Sequence, residues 1–186
     1  MRNDDVYLQL YIIRHAESMG NIETDDVFDK ANPPLTLLGK EQAKAVGERF
    51  SGFKPDALIS SPLDRAYDTA KEISSNTKTE IEIDEILVEC GTLRDESEED
   101  CIERAKSVIE KIKEKYSDNK SVILVTHAGF IEKILYAVLE CDTLNFCVYN
   151  TSVTKINFRK DKKNKIAFHN DISHLLDVDG DKTFWM

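Results

Sequence analysis

None of the apolar runs in the 186-residue chain approaches the roughly 20 residues that a membrane-spanning helix needs. The opening MRNDDVYLQL carries acids where a secretory leader would have an apolar stretch. No membrane partner is therefore expected. Cysteine is scarce: Cys90, Cys101, Cys141 and Cys147 form no CxxC and no spacing typical of zinc. The expectation is four reduced thiols behaving as small apolar residues in a cytoplasmic protein. Positive charge is also short, with 25 basic against 35 acidic residues and a formal net charge of −10. That argues against general affinity for nucleic acid or anionic lipid, so an anion site would have to be a local cluster. HExxH and carboxylate clusters are missing, and DVDGD (177–181) has its glycine at the wrong offset for a calcium loop. No metal and no cofactor is expected, and DVDGD is read as a turn. Without repeats or low-complexity linkers the chain reads as one domain, 1–186, with 177–186 a loose tail. No feature of the sequence bears on oligomeric state.

What is present is an alternation of strand and helix patterns. VYLQLYII (6–13) reads as a strand buried on both faces at its end. A helix follows in NPPLTLLGKEQAKAVGERF, with Thr36 as N-cap and helical apolar spacing through Phe50. DALISS (56–61) is a short strand, and Pro62 suits the first position of the next helix. IEIDEILVE alternates and then turns solidly apolar before Glu89. DESEEDCIERAKSVIEKIKEKY is a long amphipathic helix, acidic at its start and basic at its end, which suits the helix dipole. SVILVTHAGF holds the strongest strand, apolar to the edge of His127, and GFIEKILYAVLE is another helix. TSVTKINFRKDKKNKIAFHN reads as a hairpin whose charged turn stays in water. The order predicts an α/β fold, a three-layer α/β/α sandwich with a mostly parallel central sheet.

In such a fold ligands sit at the carboxyl ends of the strands. Arg14 and His15 lie at the end of the first strand and His127 at the end of a later one. Arg65 falls in the first turn of the helix after the second strand, where free N–H groups favour an anion. Two arginines, two histidines and a helix start suit phosphate, whose oxygens match guanidinium forks. A neutral imidazole there can attack phosphorus, with arginines carrying the oxygen charge and a carboxyl group moving the proton.

RHAES followed by Asn21 resembles the signature of the histidine phosphatase superfamily, the group that includes cofactor-dependent phosphoglycerate mutases. PLTLLGKEQA (34–43), SSPLDRAYDTA (60–70), VTHAGFI (125–131) and HNDISHL (169–175) resemble further family segments in the same order. The resemblance implies a phosphoglycerate mutase-like fold and the following site: His15 as phosphorylated nucleophile, Arg14 and Arg65 as the phosphate clamp, and Asn21 as a further phosphate contact. His127 matches the second histidine and Glu89 the general acid, with Asp95 or Glu17 as substitutes. His169 and His174 are read as structural.

Two departures stand out. Ala16 replaces the commoner glycine, a small change. After Glu89 the chain reads ECGTLRDESEED and reaches the acidic helix start in about eight residues, so the covering segment typical of mutases is short or missing. The function expected is a metal-independent phosphomonoesterase working through a phosphohistidine, on a phosphorylated small molecule or phosphoprotein. The rivals are mutase-type transfer, which needs a closed pocket that keeps water out, and a catalytically silent phosphate-binding protein. Specificity is expected from loops 22–34, 89–97 and 141–152.

Overall fold

The computed structural model describes residues 5–92, 95–160 and 162–178. Six strands form one sheet: β1 (Val6–Arg14), β2 (Ala57–Ser60), β3 (Ile81–Ile83), β4 (Lys120–Thr126), β5 (Val153–Arg159) and β6 (Lys165–Asp171), in the order β3-β2-β4-β1-β5-β6. The first four are mutually parallel, while β5 and β6 form the expected hairpin and pair antiparallel. The mostly parallel sheet expected from the alternation is thus present, with an antiparallel edge.

Helices α1 (Leu37–Arg49), α2 (Asp64–Thr77), α3 (Glu98–Lys115) and α4 (Ala128–Leu139) cover both faces. Alternate β1 residues serve the two layers, because successive side chains of a strand point oppositely. Leu8, Leu10 and Ile12 pack with Val108, Ile112, Phe130 and Ile134 of α3 and α4. Ile13 packs with Val46 of α1 and Ala70 and Ile73 of α2. Leu8, Leu10, Ile12 and Ile13 are fully buried, each worth about 2 kcal/mol of transfer energy.

The helix starts follow their caps. Thr36 Oγ1 accepts from Gly39 N at 2.9 Å, and Ser97 with Asp100 forms a reciprocal capping box on α3. Such caps contribute about 1 kcal/mol each. Gly39 is required by close approach, since a Cβ there would sit 1.9 Å from the Glu17 carbonyl oxygen.

Two expectations need correction. Helix α2 begins at Asp64 with Leu63 as N-cap, so Pro62 lies outside it rather than at its first position. Cys90 and Cys101 are joined in a disulfide, leaving Cys141 and Cys147 free. The segment after Glu89 and the start of α3 converge in space, which their sequence separation did not reveal. The pairing removes the cysteine argument for a reducing compartment. Most of the tail assigned to 177–186, and of DVDGD with it, lies outside the described residues. Among the described residues no helix is long and apolar enough to cross a membrane.

Candidate active site

Strand register brings the two histidines together. Arg14 of β1 stands opposite Thr126 of β4, so His15 and His127 leave the sheet side by side, with ring centroids 5.1 Å apart. Ser60 of β2 stands opposite Val125, which carries Ser61 to the same edge. Ser61 Oγ lies 2.9 Å from His127 Nε2. Sequence reading passed over this serine although it lies inside SSPLDRAYDTA.

His15 is buried, at 3% exposure. Its Nδ1 lies 2.7 Å from the Ala16 carbonyl oxygen, an acceptor only, so Nδ1 carries the hydrogen and Nε2 keeps its lone pair. Arg65 Nε donates to that Nε2 at 3.2 Å. Thr69 Oγ1, one turn further along α2, accepts from Ala16 N at 3.0 Å and donates to the Arg65 carbonyl oxygen at 2.7 Å. Thr69 thus ties the Arg65 turn to the peptide after His15. Burial, reinforced by His127 and the two arginines, holds His15 well below the ordinary histidine value, although the Ala16 carbonyl works the other way. Burial, then Arg65, Arg14 and Arg104, pushes His127 down to about 3. Both imidazoles are therefore neutral near pH 7.

Arg14 Nη1 donates to the Val148 carbonyl oxygen at 2.7 Å. Burial lowers the proton affinity of Arg14 and Arg65, and the Glu89 charge opposes this in both. Three buried nitrogens, Arg14 Nε, Arg65 Nη1 and His127 Nδ1, have no hydrogen-bond partner among the described residues. Buried polar atoms left without a partner are rare.

Glu89 follows a short 3₁₀ turn (Glu85–Leu87) and reaches the start of α4. Its carboxylate accepts from Phe130 N at 3.0 Å, Gly129 N at 3.3 Å and Cys90 N at 2.9 Å. Gly129 makes room for it: a Cβ there would stand 2.8 Å from Glu89 Oε1. The substitute acid Glu17 is engaged elsewhere, accepting from the Thr36 hydroxyl at 2.7 Å.

Asn21 stands at the rim. Its Oδ1 accepts from Ser18 N at 3.0 Å and from Asn150 Nδ2 at 3.4 Å. Asn150 also donates to the His15 carbonyl oxygen at 3.0 Å, so this residue of the 141–152 loop braces both. Residues on either side of Asn21 in the chain, among them Gly20, Ile22, Phe28 and Lys30, line a cavity of about 890 Å³. His174 lies behind this set, between Arg49 Nη1 at 3.1 Å and Thr151 Oγ1 at 3.1 Å, and His169 lies by Thr154 at 2.9 Å. The structure therefore gathers Arg14, His15, Arg65, Glu89 and His127, with Asn21 at the edge. No group of three or more metal-binding side chains occurs among the described residues.

The family model described as histidine phosphatase superfamily (branch 1) matches residues 10–95 and 90–172. The chain belongs to that superfamily. Among similar proteins is one from Hydrogenobacter thermophilus provisionally named phosphoserine phosphatase 2, 26% identical over 89% of this chain and 97% of that one. A Salmonella paratyphi C protein provisionally named phosphoglycerate mutase GpmB is 37% identical, but across only 44% of this chain and 38% of its own. Among solved structures, a histidine-to-alanine mutant of Entamoeba histolytica phosphoserine phosphatase, in complex with phosphoserine, superposes with a TM-score of 0.78. It is 22% identical, over 91% of this chain and 100% of that one, and establishes the shared fold.

Proposed function

We propose that this superfamily member is a metal-independent phosphomonoesterase acting on a phosphorylated small molecule through a phosphohistidine at His15. The observation that carries the reading is a buried, neutral His15 whose Nε2 lone pair meets the Arg65 guanidinium, while Arg65 Nη1, Arg14 Nε and His127 Nδ1 are buried with no partner among the described residues. In the first step His15 Nε2 attacks phosphorus; the P–N bond forms as the ester P–O bond breaks. Glu89, in its protonated form, gives its proton to the departing oxygen. In the second step water attacks phosphorus, the ionised Glu89 takes a proton from it, and the P–N bond breaks to release phosphate. Arg14 and Arg65 carry the charge on the phosphoryl oxygens, assisted by His127 and Asn21.

Hydrolysis is favoured over mutase-type transfer for two reasons. The relative matched across nearly its full length carries a phosphatase name, whereas the mutase match spans less than half of either chain. Only eight residues separate Glu89 from the start of α3 at Glu98, too few to form a large cover over the pocket. The silent-binder reading has no lost residue to support it.

The test is hydrolysis of a nitrophenyl phosphate in excess chelator by wild type and His15→Ala. Turnover that survives chelator and falls on the order of 10³-fold or more in the variant is expected. A base quench should leave phosphate on His15, seen by mass spectrometry. Full activity in His15→Ala, or loss with chelator, would overturn the reading.

A further inference from the structure

Glu89 sits on a short irregular segment, yet its carboxylate is directed at the α4 N-terminus by contacts that begin on α3. Arg104 of α3 and Glu96, just before that helix, form a bidentate pair: Nε to Oε1 at 2.6 Å and Nη2 to Oε2 at 2.9 Å. Both side chains are buried, at 8% and 5% exposure. Arg104 Nη1 donates to the carbonyl oxygens of Ile86 at 2.7 Å and Val88 at 2.9 Å. Glu96 Oε2 accepts from Gly91 N at 3.1 Å. The pair therefore grips the backbone on both sides of Glu89 and Cys90. Arg104 also stacks 4.2 Å from the ring of Phe130, whose N–H binds Glu89. The Cys90–Cys101 disulfide ties the same segment to the same helix.

A buried ion pair is weak evidence of stability, because an apolar pair of equal volume does as well or better. What apolar side chains cannot supply is three directional bonds to the carbonyl and N–H groups flanking one carboxylate. We propose that Arg104 and Glu96 are positioning residues that hold Glu89 in the geometry for proton transfer to the leaving group. This rests on Glu89 being that proton donor.

The experiment compares kcat/KM on a nitrophenyl phosphate, which leaves without help, and on an alkyl phosphate, which needs a proton. The quantity read is the ratio of the two. Arg104→Met with Glu96→Leu removes both charges together, so neither is left buried and alone; Arg104→Lys is the milder companion should the pair variant not fold. Glu89→Gln should raise the nitrophenyl-to-alkyl ratio by about 10²-fold, and the pair variant by about tenfold, since general acid catalysis supplies factors of this order. On the Glu89→Gln background the pair variant should raise the ratio no further. If Glu89→Gln raises the ratio and neither Arg104 variant does, the positioning role is wrong and the acid assignment stands. If Glu89→Gln leaves it unchanged, the acid assignment fails and the positioning role with it.

Discussion

Arg65 Nε donates its hydrogen bond to the one ring nitrogen of His15 that has a lone pair to give, at 3.2 Å. The same guanidinium holds a buried, unpartnered Nη1. In the reaction proposed above this bond would mask the attacking nitrogen, and a phosphoryl group would offer the arginine better acceptors, since bonds to charged oxygens are about twice as strong.

Arg65→Ala should lower kcat as well as raise KM, because in the proposed reaction the residue meets phosphate in the ground state and carries charge in the transition state. A loss on the order of 10²- to 10³-fold in kcat is expected. Arg65→Lys restores a charge without the fork and should recover only part of it. Steady-state kinetics on an aryl phosphate decide this, and a change confined to KM would contradict it.

Ser61 Oγ stands against His127 Nε2; with the hydroxyl donating, the ring hydrogen sits on the unpartnered Nδ1. That is the tautomer able to donate to a phosphoryl oxygen. Ser61→Ala should reduce kcat by about 10²-fold, on the scale of one lost charge-stabilising donor. Leaving a buried ring nitrogen unpaired should also cost about 1–3 kcal/mol of stability. Denaturant midpoints and kcat, measured on the same preparation, test both; an unchanged kcat would show that the serine does not set the tautomer.

Acid should destabilise the fold through its histidines. Burial, reinforced by Arg49 and opposed by Asp171, holds His174 at about 4, and His127 stands at about 3, both below the ordinary 6.5. Above pH 6.5 neither the folded nor the unfolded chain binds these protons. Below it the unfolded chain takes them up and the folded chain does not, so stability falls as pH drops from 6.5 towards 4 and then 3. Asp171 adds to this at lower pH. Burial opposes its charge, but bonds from Arg49 and Ser173 outweigh it and hold it at about 2, so its contribution is lost between 3.8 and about 2. Midpoints in urea across the acid range should decline steadily from 6.5; a flat profile down to 4 would contradict the histidine argument.

The disulfide spans 11 positions of sequence. Cross-linking so short a loop is worth about 3 kcal/mol in the chain-entropy account. Reductant should lower the denaturation midpoint of wild type and leave that of Cys101→Ala unmoved. Thiol titration in denaturant should count Cys141 and Cys147 before reduction and all four cysteines after it. Four thiols without reductant would contradict the pairing.

The placement of the candidate residues at strand ends was legible in the sequence. Residues at strand ends are readable because a buried strand announces itself by composition and must stop where polarity begins: IIRH and LVTH each carry that boundary. Thr36 and the acidic start of α3 were readable because capping is local chemistry. Ser61, Thr69 and Asn150 were not assigned roles, although the first two lie within a quoted segment. Their partners are 66, 53 and 135 residues away.

The chain's order of apolar runs, caps and turn residues determined by itself that strands and helices alternate, that the sheet is mostly parallel, and that two histidines and two arginines end at its carboxyl edge. Those are consequences of burial and of backbone geometry within a few residues. Which strands are neighbours, and in what register, only the tertiary structure decided. Placing β4 between β1 and β2 is what sets His127 beside both His15 and Ser61. The same holds for the grip of Arg104 and Glu96 on the Glu89 segment and for the Cys90–Cys101 bond. Contacts across layers depend on how whole elements pack, and no local pattern of residues encodes that distance.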